Sequence, residues 1–252
     1  MRFFESDQGC IQFTLAGTPT IIRPSSWLVL LILGSAGPHF NITHTLLFVV
    51  AGMLCLLVHE FGHALSCRAL GGGPSTVEIA SMGGVTRSAY PPPTRIGQLL
   101  MVLAGPGASL LLGLLGGLAL GLQVGNAMSG IVYSLYMPLS SLLPTSAQLT
   151  EAIMPILIEG YRGGLSEFAF IAYNSLFCVC IWWTLFNLLP IIPLDGSKAL
   201  NLITRNPGLV CRIGLVTAVL LLVMCLTRAM VFNAFICATL AYTNWQYLRL
   251  SR

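Results

Sequence analysis

Two histidines and a glutamate, His59, Glu60 and His63, stand inside the apolar run "LLVHEFGHAL" at residues 56–65. In an α-helix, residues four apart lie nearly above one another, so both imidazoles present to one point. That is the geometry of two ligands to a single metal ion. Glu60, one position on, can reach water at an open coordination place, and HExxH reads as the zinc hydrolase signature with the glutamate as base. A catalytic zinc site takes a third protein ligand and leaves a fourth place free. The chain has two aspartates, Asp7 and Asp195, and the second sits in "FNLLPIIPLDGSKAL" directly after an apolar run. Asp195 is therefore the natural third ligand. Asn187, in the same stretch, is a candidate for holding an oxyanion or a substrate strand, with helix capping or helix linking as the alternative. For the motif itself the alternative is a histidine pair satisfied by hydrogen bonds in a core.

The elements that must position these groups are membrane helices. The 252 residues are 56% hydrophobic and 8% charged, with a mean hydropathy of +0.85, far from the balance of a soluble domain. An unpaired carboxylate in hydrocarbon costs several kcal/mol, so chance does not explain the motif. Apolar windows near the length of a membrane span predict six helices, at about 26–42, 44–70, 96–122, 167–189, 210–227 and 229–248. The first of these is interrupted by "GSAGPHF". Residues 1–24 are too mixed for a cleavable signal, so the first span is expected to stay in the mature chain. The longest loops, near 71–95 and 123–166, leave no room for an added globular domain. The fold class is thus all-α, one transmembrane domain over 1–252.

Six spans place both termini on one side. Of the lysines and arginines only Arg162 and Arg228 then fall opposite the termini, a bias that puts both termini and the active-site side in the cytoplasm. The net charge of +4 is in this way topological, and no basic cluster interleaved with aromatics suggests nucleic acid. His59 lies roughly 24 Å along its span by the helical rise, in the half toward the cytoplasm. The span 167–189 runs the same way and brings Asp195 to that depth. Residues 126–144 suit an interfacial or re-entrant segment, because a seventh span there would carry Asp195 to the far side.

Four further features bear on the site. In "TVEIASMGGVTRSAYPPP" the alternation around Val77 and Ile79 and the paired Gly83 and Gly84 predict a short hairpin or re-entrant strand after the second span. Its edge could hold an unwound substrate by strand addition. Gly105, Ser109, Gly113, Gly117 and Gly121, four residues apart, read as a packing stripe without a chemical role. Cysteines within apolar segments, with no CxxC pair, read as buried apolar residues. His39 and His44 read as interfacial residues at the opposite face.

Taken together, "GTPTIIRPSSW", HExxH at 59–63, "MGGV", "AGPGAS" and "NLLPIIPLDG", in that order, resemble the site-2 proteases, polytopic intramembrane zinc metalloproteases. The resemblance covers most of the chain. It implies one catalytic zinc ion held by His59, His63 and Asp195, with Glu60 as acid and base. It also implies cleavage of a membrane-protein substrate, single-pass, in or near its transmembrane segment, in regulated intramembrane proteolysis. The form is compact, without PDZ or CBS domains, so regulation falls to a homo-oligomer or a membrane partner. A bacterial cell membrane is the favoured location. Ser109, where relatives often carry asparagine, and Arg23, where they often carry histidine, depart from the pattern, and neither is expected to touch the metal set.

Two histidines and a carboxylate also describe the facial triad of non-haem iron oxygenases, which would not need Glu60 beside the first ligand. A metal transporter would bury similar residues, but spread along a path and with internal symmetry, and no repeat is visible.

Overall fold

The computed structural model describes residues 9–35, 41–81, 83–140, 146–162, 164–228 and 230–250. Arg2, Asp7, His39 and Arg252 lie outside them. Strands β1 (Ile11–Leu15) and β2 (Thr18–Ile22) precede helices α1 (Pro24–Ser35) and α2 (Ile42–Ala69). Strands β3 (Ser75–Ala80) and β4 (Gly83–Ser88) follow, then α3 (Arg95–Gln123), α4 (Ala127–Leu139), α5 (Ala147–Tyr161), α6 (Glu167–Asn187), α7 (Asp195–Thr204), α8 (Pro207–Thr227) and α9 (Val231–Leu250). The fold is that of an all-α membrane protein carrying one small sheet. Side-chain caps start the long helices: Asn41, Thr94, Ser166 and Asn206 accept from backbone N–H groups of the first turns of α2, α3, α6 and α8.

Four helices, α2, α3, α6 and α8, are long and apolar enough to cross a membrane. The other two expected spans exist as helices of different character. Within the described residues, the 12 residues of α1 rise about 18 Å, short of a hydrocarbon core of about 30 Å, and residues 36–40 of the expected span 26–42 lie outside them. In α9, Asn233, Asn244 and Gln246 lower the hydropathy that the window 229–248 suggests.

Helix directions follow from which residues meet. Methyl groups added at Gly34 and Gly52 would strike Phe48 and Leu30, so α1 and α2 are antiparallel. On α3, Met101 meets His63 and Ser109 meets His59, which makes α2 and α3 antiparallel. Thr184 of α6 donates to the Pro106 carbonyl, and a methyl at Gly116 would meet Phe177, so α6 runs back along α3. It follows that α2 and α6 are parallel, and Asp195 emerges at the end of the bundle where His59 and His63 stand.

The segment 126–144 resolves the same way. Its helix α4 has 13 residues, about 20 Å by rise, and folds back along α3. Gly117 and Gly121 face Gly130, Ser134 and Ala127, and at Gly130 an added Cβ would sit 2.1 Å from the Gly117 carbonyl oxygen. Here α4 and α5 pack as a pair against α3 and α6, around Leu120, Tyr133, Ile156 and Phe177. The chain thus returns to the side where α3 ended before α6 begins. Residues 141–145, the rest of that segment, are outside the described residues.

The expected hairpin is β3–β4, antiparallel, with Val77 opposite Thr86 and Ile79 opposite Gly84. Its partner was not anticipated: β2 pairs parallel with β3, and β1 antiparallel with β2, giving the order β1-β2-β3-β4. One face is buried. Ile22, Val77 and Ile79 pack against Leu30 of α1 and Val49, Met53, Leu56 and Phe61 of α2. On the other face Arg87 and Arg23 converge on Glu78, and these cations hold its carboxyl below the ordinary glutamate range.

The close approach of α3 and α4 allows a direct check. Gly130→Ala forces backbone apart and is expected to lower stability by about 1–3 kcal/mol, read by thermal unfolding in detergent. Gly107→Ala, where an added methyl meets open space, is expected to be neutral or stabilising.

Candidate metal centre

His59 and His63 lie one turn apart on α2 and Asp195 is the first residue of α7; all three are buried. Asp195 Oδ2 lies 3.1 Å from His59 Nε2 and 3.0 Å from His63 Nε2, and the two nitrogens are 3.2 Å apart. These atoms form a nearly equilateral triangle. A tetrahedral zinc ion with bonds of about 2.0 Å sets its ligands roughly 3.3 Å apart, so the triangle matches one face of that polyhedron.

Hydrogen bonds on the far sides of the rings assign the tautomers. His63 Nδ1 lies 2.8 Å from the Met101 carbonyl, which can only accept, so Nδ1 carries the proton. Ser109 Oγ donates to the Gly105 carbonyl at 3.3 Å and therefore accepts from His59 Nδ1 at 3.0 Å. With Nδ1 holding the ring proton, each imidazole in its neutral form aims an Nε2 lone pair at the carboxylate. One proton between three acceptors relieves only one pair of them, whereas a divalent cation at the centre satisfies all three.

The surrounding elements are shaped to this cluster. A Cβ at Gly105 would lie 2.2 Å from His63 Nε2, so only glycine there lets α3 pass the ring. Trp183 of α6 stands edge-on to His59 with ring centroids 6.2 Å apart. Asp195 is placed by the turn that "PIIPLDG" makes between α6 and α7. Asn244 of α9, fully buried, clamps this turn: its Oδ1 accepts from Ile192 N at 3.2 Å and its Nδ2 donates to Ile192 O at 3.0 Å. The far end of α7 is tied as well, since Arg95 of α3 donates to the carbonyls of Leu202 and Ile203.

Glu60 is buried beside the cluster, beneath the hairpin. Thr86 Oγ1 lies 2.7 Å from Glu60 Oε2, and a Cβ at Gly84 would lie 2.3 Å from Glu60 Cγ. The glutamate thus fits under β4 because position 84 has no side chain, and among the described residues β4 is an edge strand whose outer side carries no partner strand. Asn187 ends α6, and its Nδ2 donates to the Trp183 carbonyl at 3.0 Å within its own helix. That bond joins Asn187 to its own helix rather than to a second one, and Asn187 is not drawn into the His–Asp triangle.

A family model, Peptidase family M50, matches residues 46–226, a range that contains His59, Glu60, His63 and Asp195. The chain belongs to peptidase family M50. Membership makes it an intramembrane metalloprotease and implies a metal. Among solved structures, the site-2 protease from Methanocaldococcus jannaschii shares the fold at a TM-score of 0.55. The match has 17% sequence identity and covers 95% of each chain. No curated protein matches the chain.

Two expectations are corrected within this M50 chain. Ser109 does touch the metal set, through His59, and the stripe on α3 is not purely packing. Gly105 and Ser109 face the ligands, while Gly113, Gly117 and Gly121 meet α6 and α4. The cysteines are free, as expected. Sequence reasoning missed Thr86, Asn244 and Arg95. The available signal for Asn244 was an amide, one of three in its helix with Asn233 and Gln246, in an otherwise largely apolar stretch. Arg95 and Thr86 gave none, since both resemble surface polar residues until the chain is folded.

Because Ser109 fixes the tautomer and plane of His59, Ser109→Ala is expected to weaken metal binding about 10- to 100-fold. Chelator competition on the purified protein measures this, with thermal unfolding as the control for folding.

Proposed function

We propose that the protein is a zinc metalloendopeptidase that hydrolyses a peptide bond in or near the transmembrane segment of a single-pass membrane protein. The observation that carries this reading is the convergence of His59 Nε2, His63 Nε2 and Asp195 Oδ2, with Glu60 buried beside them. The donor set of two imidazoles and one carboxylate suits zinc, and also iron. Glu60 favours the hydrolase, since a facial-triad oxygenase has no use for a buried carboxylate next to its first ligand.

His59, His63 and Asp195 would hold the zinc ion. When bound, the ion supplies a Lewis acid that makes water more acidic and polarises a carbonyl. Glu60 takes the proton from the attacking water and delivers it to the leaving amine nitrogen. Thr86 donates to Oε2, which orients the carboxylate and leaves Oε1 as its proton acceptor. The buried setting excludes competing water around the reacting groups.

A helical substrate hides its carbonyls in backbone hydrogen bonds, so it must unwind before one can be attacked. We assign the capture of the unwound segment to the free edge of β4, which crosses directly over Glu60 and can extend its ladder by one strand. Asn187 is left with either a substrate contact through its second amide hydrogen or a helix-linking role. The bias of lysine and arginine supports a cytoplasmic active-site side and cytoplasmic termini in a bacterial membrane. The reading extends to regulated intramembrane proteolysis, with a homo-oligomer or membrane partner as regulator.

Glu60→Gln is expected to keep one zinc ion per chain and to stop cleavage. Membrane proteomics of cells carrying wild-type or Glu60→Gln protein should reveal a single-pass protein that accumulates uncut. A fully active Glu60→Gln enzyme ends the proposal. Replacing glycine or proline near the cut site of that substrate by leucine is expected to slow turnover, measured by gel-based cleavage in detergent; unchanged rates would exclude unwinding as a requirement.

A further inference from the structure

The two oxygens of Asp195 have different partners. Oδ2 faces both imidazoles, whereas Oδ1 accepts from Lys198 Nζ at 2.8 Å. Lys198 stands one turn further along α7, and its side chain is 56% exposed against 3% for Asp195. An exposed pair at this helical spacing contributes little to stability. Here one member is buried among the candidate ligands, so removing the other would leave Oδ1 without its counter-charge.

We propose that Lys198 is a positioning residue that holds Asp195 to one-oxygen coordination. The inference rests on the metalloprotease reading above. A carboxylate can bind a cation through one oxygen or through both. With both engaged, Asp195 would take up coordination space that a hydrolytic site leaves open for water and substrate. The ammonium prevents this by occupying Oδ1 while Oδ2 faces the imidazoles.

Three further observations support the assignment. Asp195 begins a helix tied at its other end by Arg95 and preceded by a turn clamped by Asn244, so the backbone is fixed and the carboxylate rotation is what is left to control. Lys198 also lines a cavity of about 360 Å³ with Ile192, Asn201, Val210 and Tyr247, so its side chain has room to leave. Within α7, Ser197 cannot substitute for it, because its hydroxyl donates to the Leu194 carbonyl at 2.7 Å.

The test uses the full chain in detergent with cobalt(II) in place of zinc, comparing wild type, Lys198→Met and Lys198→Arg. Cobalt absorbs visible light strongly when four-coordinate and weakly at higher coordination numbers. Wild type and Lys198→Arg are expected to give the intense spectrum. Lys198→Met is expected to lose most of that intensity, to keep one metal per chain, and to lose about 10- to 100-fold in kcat with KM unchanged. Should Lys198→Met not fold, Lys198→Leu serves in its place, being uncharged and without a donor. A Lys198→Met or Lys198→Leu protein with the wild-type spectrum overturns the proposal, whatever its activity. A wild-type protein that binds neither cobalt nor zinc overturns the metalloprotease reading itself, and this inference with it.

Discussion

Three acceptor atoms within hydrogen-bonding distance of one another, each with its proton or counter-charge placed on the far side, set the terms for the rest of this molecule. In a low-dielectric interior such an arrangement is costly unless a cation sits among them. The fold accepts that cost at one place. Two parallel helices deliver the histidines and the aspartate to a common depth. Antiparallel to both, α3 supplies the Met101 carbonyl and the Ser109 hydroxyl that turn the lone pairs inward. Gly105 and Gly84 are then steric requirements of the site, since a methyl group at either would occupy the volume of His63 or Glu60.

Glu60 links the metal centre to the sheet. Its neighbour His59 belongs to the ligand triangle, while its own carboxylate lies beneath β4 and meets Thr86. The base and the strand edge are therefore in register through direct contact. A segment added alongside β4 would pass close to the reacting groups without any large rearrangement of α2. Since β2 pairs in parallel with β3, with α1 and α2 between them in the chain, the hairpin is also braced by residues that enter the chain much earlier.

Much of the site could be read from the sequence because it is written in local spacing. Four residues between His59 and His63 fix one face of a helix, and the aspartate after the apolar run is the natural candidate for the third position. The asymmetry of arginine and lysine gave the parity that brings Asp195 to the correct end, and the alternation around Val77 and Ile79 gave the hairpin. What stayed hidden depends on long-range contact. The β1–β2 hairpin and its parallel union with β3 join segments separated by two helices, and no local pattern announces such a pairing. The stripe on α3 shows its small side chains but not which neighbour each one meets, so Gly105 and Ser109 looked the same as Gly117. The polar character that distinguishes α9 from a plain span comes from Asn233, Asn244 and Gln246, and the purpose of Asn244 is visible only once the Ile192 turn lies beside it.

One helix, α3, has a hand in placing each of the three candidate ligands: Ser109 supports His59, Met101 supports His63, and Arg95 secures the helix that begins with Asp195. The supports lie along the 15 residues 95–109 of one helical rod, which has Pro106 within it. A tilt of that rod, such as a thinner or thicker bilayer imposes, would shift all three supports in concert. The centre is in this sense mechanically indivisible, and its integrity registers how the whole bundle sits in its lipid.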